Sequence, residues 1–283
     1  MFVSLIMPTI GRAEDVDILM SGLVVQTYAD FELIVLDQND DDRLLPIIEK
    51  YKDRLNIKYI KSDKKGLSYN RNLGLDNAVG EIIGFPDDDC EYNADTVEKV
   101  VNFFKENEDC KIYSCRSMDR NMVDSFLKMY DDEREITRDN VLFTAISITM
   151  FFRFEDKSYH RFDERLGAGA EFGSGEDVDY VLELLSRGYK GRYFGGDIIY
   201  HPEKKHVKSK AKAVRDFNYG RGFGAMCKKE VIYRRHYKFI THISYRVIRN
   251  IGGIVLNKNR DYHTASMKGR IQGFFGYKEL KKK

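Results

Sequence analysis

Residues 81–90 read Glu-Ile-Ile-Gly-Phe-Pro-Asp-Asp-Asp-Cys, an apolar run that stops at a proline and opens into three acids. Ile82, Ile83 and Phe85 have the character of a short buried strand in an α/β sheet. Pro86 has no N–H to give to a ladder, so the strand ends there. On extended backbone, Asp87 and Asp89 would point the same way, which suits a hard divalent cation and the phosphates it carries. Ligands of α/β sheets bind just beyond the carboxyl ends of strands. The same stretch also fits a solvated acidic turn, so the surrounding chain has to decide.

Toward the N-terminus the pattern repeats. Phe2 to Met7 is a strand-like run followed by Pro8-Thr9, with Gly11-Arg12 beyond it. From Asp15 to Val25, Val16, Leu19, Met20 and Leu23 recur at helical spacing. Phe31 to Leu36 is a second strand, ending at Asp37-Gln38-Asn39-Asp40. A helix from about Leu44 to Tyr51 follows, then a strand at Ile57 to Ile60, then a helix over 66–79 with Gly80 at its C-terminal cap. Toward the C-terminus come a helix at Ala94–Phe104 and a strand at Lys111–Cys115. Met122–Glu135 reads as helical, Val141–Arg153 as a buried strand with its lead-in, and Gly191–Tyr200 as a last strand before His201-Pro202. Strand–helix alternation of this kind predicts an α/β fold, a mainly parallel sheet with helices on both faces.

Residues 162–180 are the second informative stretch, with four glycines from Gly167 to Gly175 and then Glu176-Asp177-Val178-Asp179. Such a loop can approach a ligand closely. The acids open a helix that runs to about Arg187 and is capped by Gly188. First-turn acids complement a helix dipole; one held at a loop–helix junction is also placed to act as a general base. His201, at a strand end, joins the acids as a candidate metal ligand. Gly220, Gly222 and Gly224 have no strand before them, so they are not a dinucleotide fingerprint.

Composition bounds the rest. Hydrophobic content of 42% and charged content of 33% exclude a disordered or fibrous chain. The four cysteines form neither a zinc pattern nor a disulfide framework, which points to a reducing compartment, and the N-terminus lacks the basic and apolar regions of a signal peptide. A cytoplasmic protein is therefore expected. The net charge of +2 conceals a division: residues 201–283 hold 22 Lys+Arg against 5 Asp+Glu, a net of +17, and residues 1–200 carry 25 against 40. That asymmetry predicts two parts, 1–202 and a basic, mostly helical extension over 203–283.

Five motifs in order carry a resemblance. They are Pro8-Thr9 after the first strand, Asp37 after the second, Gly66-Leu67-Ser68-x-x-Arg71-Asn72-x-Gly74, Asp87-Asp88-Asp89, and Gly175-Glu176-Asp177-Val178-Asp179. Together they make residues 2–202 resemble the family 2 glycosyltransferases, which have the GT-A fold and invert the anomeric centre. The resemblance implies transfer of a sugar from a nucleoside-diphosphate sugar to a glycan or lipid-linked glycan, with Mn²⁺ or Mg²⁺, in bacterial cell-surface polysaccharide biosynthesis. A UDP donor is implied first, then dTDP or GDP. By position, Pro8, Thr9 and Arg12 would lie beside the nucleoside, Asp37 on the base, and Arg71 near the base or the diphosphate. Asp87 and Asp89 match the Asp-x-Asp motif, Asp87 near the ribose or phosphates and Asp89 on the metal. Asp88, between them in the donor-binding stretch, is expected to matter least. Asp177 matches the catalytic base, Glu176 the neighbour that orients the acceptor, Asp179 a supporting acid, and His201 a further metal ligand. Family members often have two aspartates at the second strand end; Gln38 here looks like some bacterial polysaccharide and rhamnosyl-type transferases.

Two other functions stay in view. A sugar-nucleotide nucleotidyltransferase would want a glycine-rich basic loop after the first strand, and Pro8-Thr9-Ile10-Gly11-Arg12 is poor in glycine. A non-catalytic binding module on the same fold would have no use for both acidic motifs. In the extension, Ile240, Ile243, Val247, Ile251 and Ile254 recur at steps of three and four with Arg246 and Arg249 between them, and Gly252-Gly253 should interrupt the helix. This basic amphipathic pattern fits either packing on the catalytic domain or docking on an anionic membrane surface, at the inner face of the cell membrane. No nucleic-acid motif accompanies the charge, so no nucleic-acid partner is expected.

Overall fold

The computed structural model describes residues 1–126, 128–202 and 210–279. Eight strands form one sheet: β1 (Val3–Thr9), β2 (Phe31–Asp37), β3 (Ile57–Lys61), β4 (Ile82–Gly84), β5 (Cys110–Met118), β6 (Glu133–Glu135), β7 (Met150–Arg153) and β8 (Lys190–Tyr200). Their order is β3-β2-β1-β4-β7-β5-β8-β6. β1, β2, β3 and β4 run parallel, as do β5 and β8, while β7 is antiparallel to both β4 and β5 and β6 is antiparallel to β8. The sheet is therefore mixed. β1 and β2 are buried along their whole length, which is why they read as unbroken apolar runs rather than alternating ones.

Helices α1 (Glu14–Val24), α2 (Leu45–Tyr51), α3 (Leu67–Asn77) and α4 (Thr96–Glu106) follow β1 to β4 in turn. α5 (Glu176–Ser186) precedes β8, and α6 (Lys210–Lys228), α7 (Ile240–Val255) and α8 (Arg260–Gly276) make up the C-terminal region. The described chain packs as two compact units. One holds residues 1–65, 69–161 and 183–202; the other holds Gly66–Ser68, Phe162–Leu182 and the C-terminal helices. The second unit thus takes in the glycine-rich loop and the start of α5 as well as the basic extension. Lys204, Lys205 and Lys208, part of that basic stretch, lie outside the described residues. Among the described residues no helix is long and apolar enough to cross a membrane.

Three expectations are corrected. Among the described residues of 122–135 there is no helix; those from 128 onward lead into the short edge strand β6. Asp119 Oδ1 accepts from the N–H groups of Asn121 and Val123, Met122 is left-handed at φ 61°, and Arg116 clamps Asp124 from the neighbouring strand. Side-chain bonds to the backbone have outcompeted the helix. Gly80 is not a left-handed cap. A Cβ there would meet the Ser4 backbone nitrogen at 2.6 Å, so the glycine serves close passage against β1. Gly252-Gly253 does not interrupt α7, because the ring of His263 fills the space a Cβ at Gly253 would take, at 2.0 Å. Gly188, by contrast, takes the expected left-handed cap at φ 87°.

Candidate functional site

The first unit gathers its polar side chains at the C-terminal ends of β1, β2 and β4 and beyond β8. Thr9 lies opposite Asp37 in the β1–β2 register, so both strands end level. Gly74 matters to this placement: a Cβ on it would stand 2.2 Å from Ile6 Cγ2, so α3 can lie tight on β1. Arg71, on the same helix, is buried and donates to Asp87 Oδ1 at 3.2 Å. Glu91 and Tyr200 exchange backbone hydrogen bonds, which staples the segment after the aspartates to the end of β8. That staple brings His201, far away in sequence, to Asp89, with Nε2 at 3.1 Å from Oδ1.

The three aspartates divide. Asp88 is buried and accepts from Thr9 Oγ1 at 2.6 Å and from Arg12 Nη1 at 2.6 Å. Expected to matter least, it instead ties the first strand end to the acidic segment. Burial pushes its carboxyl up to about 6 against the pull of Thr9 and Arg12. Burial also raises Asp89, but the hydrogen bonds and charge of His201 and Arg12 hold it down at about 2. Asp87, Asp89 and His201 each offer a ligand atom, and these atoms lie within 4.8 Å of one another. His201 is 2% exposed and its Nδ1 has no hydrogen-bond partner among the described residues. Two carboxylates and an imidazole are a donor set that could hold a divalent cation.

Asp37, expected on the base, is held by partners within the chain. Oδ1 accepts from the N–H and the amide of Asn39, and Oδ2 from Tyr59 at 2.7 Å and Lys61 at 3.1 Å. A carboxylate has about four acceptor sites, and all are taken in a fully buried side chain. Burial raises this group, but the four donors hold it below the usual carboxylate value. Asn39, which the motif reading passed over, turns its own Oδ1 to the Gly11 N–H at 2.6 Å, joining the loops after β1 and β2. Gly11 sits at φ 78°, in the left-handed region. Gln38 donates to the Thr9 carbonyl through its backbone N–H.

The second unit builds the other acidic motif. Leu67 N–H donates to the Ala168 carbonyl and Ser68 Oγ to the Leu166 carbonyl at 2.6 Å, so the start of the Gly-Leu-Ser motif grips the glycine-rich loop. Gly167, Gly169 and Gly175 are all left-handed, and a Cβ on Gly167 would press on the Glu176 side chain at 3.2 Å. Asp177 stands in the first turn of α5, where Oδ1 accepts the Val178 N–H at 2.8 Å. Glu176 and Asp177 are half-buried. Asp179 is buried and bound to Lys229 Nζ at 2.6 Å and Arg234 Nη1 at 2.8 Å. Lys229 also reaches Asp163 at 3.0 Å. Burial alone would raise Asp163, but Arg165, Lys229 and Tyr277 hold it well below the usual carboxylate range. No local pattern marks Lys229, which reads as one more charge in a basic stretch.

The glycines of α6 now have a use. Gly220 and Gly224 face α8, where a Cβ would meet the carbonyls of Ser266 and Arg270 at 2.4 and 2.2 Å. Gly222 faces the loop instead, with the Ser174 carbonyl 2.1 Å from a Cβ. Gly222→Ala is expected to lower stability by about 1–3 kcal/mol through overpacking. The displaced loop carries Glu176-Asp177, so those two acids should shift with it. Gly220→Ala, facing away from the loop, should cost stability alone. Denaturant melts on both variants check this.

Residues 4–159 match the family model of Glycosyl transferase family 2. That stretch runs from β1 through β7 and includes Asp37, Arg71 and the three aspartates.

The chain belongs to glycosyl transferase family 2.

The family match stops before Glu176-Asp177 and His201. Among relatives of this family member, the poly(ribitol-phosphate) β-N-acetylglucosaminyltransferase TarP of Staphylococcus aureus is 30% identical over 158 residues, 53% of this chain and 48% of TarP. The chain thus spans about half the length of that relative, or less for others such as TarS, of which 27% is covered. Among solved structures, S. aureus TarS 1–349 in complex with UDP-GlcNAc superposes with a TM-score of 0.70 at 19% identity, over 97% of this chain and 82% of that one. The mannosyltransferase PcManGT from Pyrobaculum calidifontis, in complex with GDP-Man and Mn²⁺, gives 0.63 at 11% identity, over 98% and 88%. At these identities the two structures establish the fold: this family member has the GT-A type mixed sheet flanked by helices.

Proposed function

We propose that this family 2 glycosyltransferase moves a sugar, with inversion and with Mn²⁺ or Mg²⁺, from a nucleoside-diphosphate sugar to a hydroxyl of a glycan or lipid-linked glycan in bacterial cell-surface polysaccharide biosynthesis. The observation that carries it is the convergence of Asp87, Asp89 and His201 beyond the carboxyl ends of the strands. A bound cation there would supply positive charge to the leaving diphosphate. Thr9 and Arg12, fixed by Asp88, would flank the nucleoside. Asp37 would serve that pocket indirectly, by holding Asn39, Tyr59 and Lys61 in place. Arg71 would steady Asp87 and meet the diphosphate.

Asp177 is the proposed base. The acceptor oxygen forms a bond to the anomeric carbon as the bond to the diphosphate oxygen breaks, and the hydroxyl proton passes to the Asp177 carboxylate. Glu176 would orient the acceptor, and Asp179, neutralised by Lys229 and Arg234, would hold the turn. A single displacement inverts the centre and leaves no sugar on the enzyme. Support for a UDP donor comes from the UDP-GlcNAc complex of TarS and the N-acetylglucosaminyl transfer in the name of TarP; dTDP and GDP sugars are next in line. A cytoplasmic site at the inner face of the membrane fits a lipid-linked acceptor.

The test is turnover of UDP-, dTDP- and GDP-sugars with Mn²⁺, water serving as a slow acceptor where no glycan is supplied. Proton NMR should show nucleoside diphosphate released with a β-anomeric sugar formed first from an α-linked donor. Release of the α-anomer would overturn single displacement, and no turnover of any donor with any acceptor would return the chain to a binding module.

A further inference from the structure

Helix α7 is apolar on two sides. The inner side holds Ile243, Val247 and Ile254, half-buried, and Asn250, buried and hydrogen-bonded through Oδ1 to His263 Nδ1 of α8 at 3.1 Å. Arg246, which periodicity places among the solvent-facing charges, instead lies over the ring of Phe223 at 4.5 Å. Packing therefore explains most of the stripe visible in the sequence. It does not explain the other side. Tyr245 is 67% exposed, Ile248 68%, Ile251 46%, Val255 75% and Leu256 68%. At 100° per residue the first four fall within one arc of the helix, with Ser244 among them and Leu256 following at its C-terminal cap, a largely apolar face of the kind that marks an interaction surface.

The charges around that face identify its occupant. Residues 237–260 contain five Lys and Arg and no Asp or Glu. Lys238, Arg249, Lys258 and Arg260 are exposed. A second copy seated on this face would oppose two regions that each carry a net of +17 over residues 201–283, from 22 Lys+Arg and 5 Asp+Glu. An anionic bilayer offers hydrocarbon to the apolar side chains and negative charge to the rim, with no such repulsion.

We propose that the outer face of α7 lies in the plane of an anionic phospholipid bilayer. Tyr245, Ile248 and Val255 enter the acyl boundary, and Arg249, Lys258 and Arg260 stay at the headgroups. The proposal deepens the reading of a lipid-linked acceptor, but its test needs no catalysis, so the two can fail separately. Full-length protein is floated with phosphatidylcholine vesicles, with or without 30 mol% phosphatidylglycerol, at about 0.1 M salt, where screening acts over about 10 Å. Binding to the anionic vesicles should exceed binding to the neutral ones by about tenfold or more. Ile248→Ser with Val255→Ser should lower the anionic partition by about tenfold. The triple change Arg249→Gln, Lys258→Gln, Arg260→Gln should lower it by about a hundredfold. Equal partition onto neutral and anionic vesicles, or serine variants that bind like the wild type, would overturn the proposal. So would a concentration-dependent oligomer in sedimentation that the serine pair dissolves, since that would give the face to a second copy.

Discussion

Asp177→Asn is expected to bind the donor as the wild type does and to lose transfer by about 10²–10⁴-fold, the usual contribution of a positioned general base. The substitution isolates the chemistry. An asparagine oxygen can still accept the Val178 N–H that Asp177 Oδ1 accepts now. The fold of α5 should therefore survive, and a melt should show it. What the amide cannot do is take the acceptor proton. Donor affinity by calorimetry and initial transfer rates on the same preparation give the two readouts. Transfer near the wild-type rate would remove Asp177 from the role and direct the same experiment to Glu176→Gln. Parallel loss of donor affinity and melting temperature would mean that the residue shapes the loop rather than reacts.

The second large effect is expected from Asp89→Asn. The carboxylate is held at about 2 by His201 and Arg12 despite its burial, so it is ionised at any working pH and offers a full negative charge to a cation. The amide offers none. Metal-assisted charge stabilisation is worth several kcal/mol, and each 1.36 kcal/mol is tenfold in rate, so a fall in transfer of at least about a hundredfold is expected. Manganese affinity in the presence of nucleoside diphosphate, followed by electron paramagnetic resonance, should fall with it. Asp88→Asn should behave differently. Asp88 binds Thr9 and Arg12 and lies outside the Asp87–Asp89–His201 group, so its loss should weaken donor binding more than manganese binding. Unchanged manganese affinity in the Asp89 variant would take Asp89 out of the metal shell.

The strand ends were legible because each is an apolar run cut off by proline, threonine or aspartate, and such local punctuation survives into the sheet. Of the residues the motifs single out, Asp89 and His201, expected on a metal, come together with Asp87, expected near the ribose or phosphates. What local pattern could not supply was long-range pairing. Lys229 reads as a surface charge, yet it closes a buried pair with Asp179, fifty positions away, because burial is decided by what packs above it. Asp37 reads as a free acceptor until Tyr59 and Lys61, on another strand, take up its second oxygen. Residues 122–135 have helix-like composition, but at their start Met122 is left-handed and Asp119 Oδ1 takes the N–H groups of Asn121 and Val123. In α7 the three-and-four periodicity was real, but a helix apolar on two sides shows two such stripes, and the one read from sequence lies largely inward. The glycines of α6, read as no dinucleotide fingerprint, had no visible purpose until α8 and the Ser174 loop were in place.

The most direct measurement is the melting temperature of the wild-type chain against a panel of nucleoside-diphosphate sugars, each with Mn²⁺ and with chelator. Ligand that binds the folded state alone stabilises it by about 2.7 kcal/mol at a hundredfold excess over Kd. A rise of several degrees with at least one donor, present with Mn²⁺ and lost with chelator, is the expected result. An equal rise in chelator, or none across UDP-, dTDP- and GDP-sugars, would contradict the assignment of Asp87, Asp89 and His201 to a metal-held diphosphate.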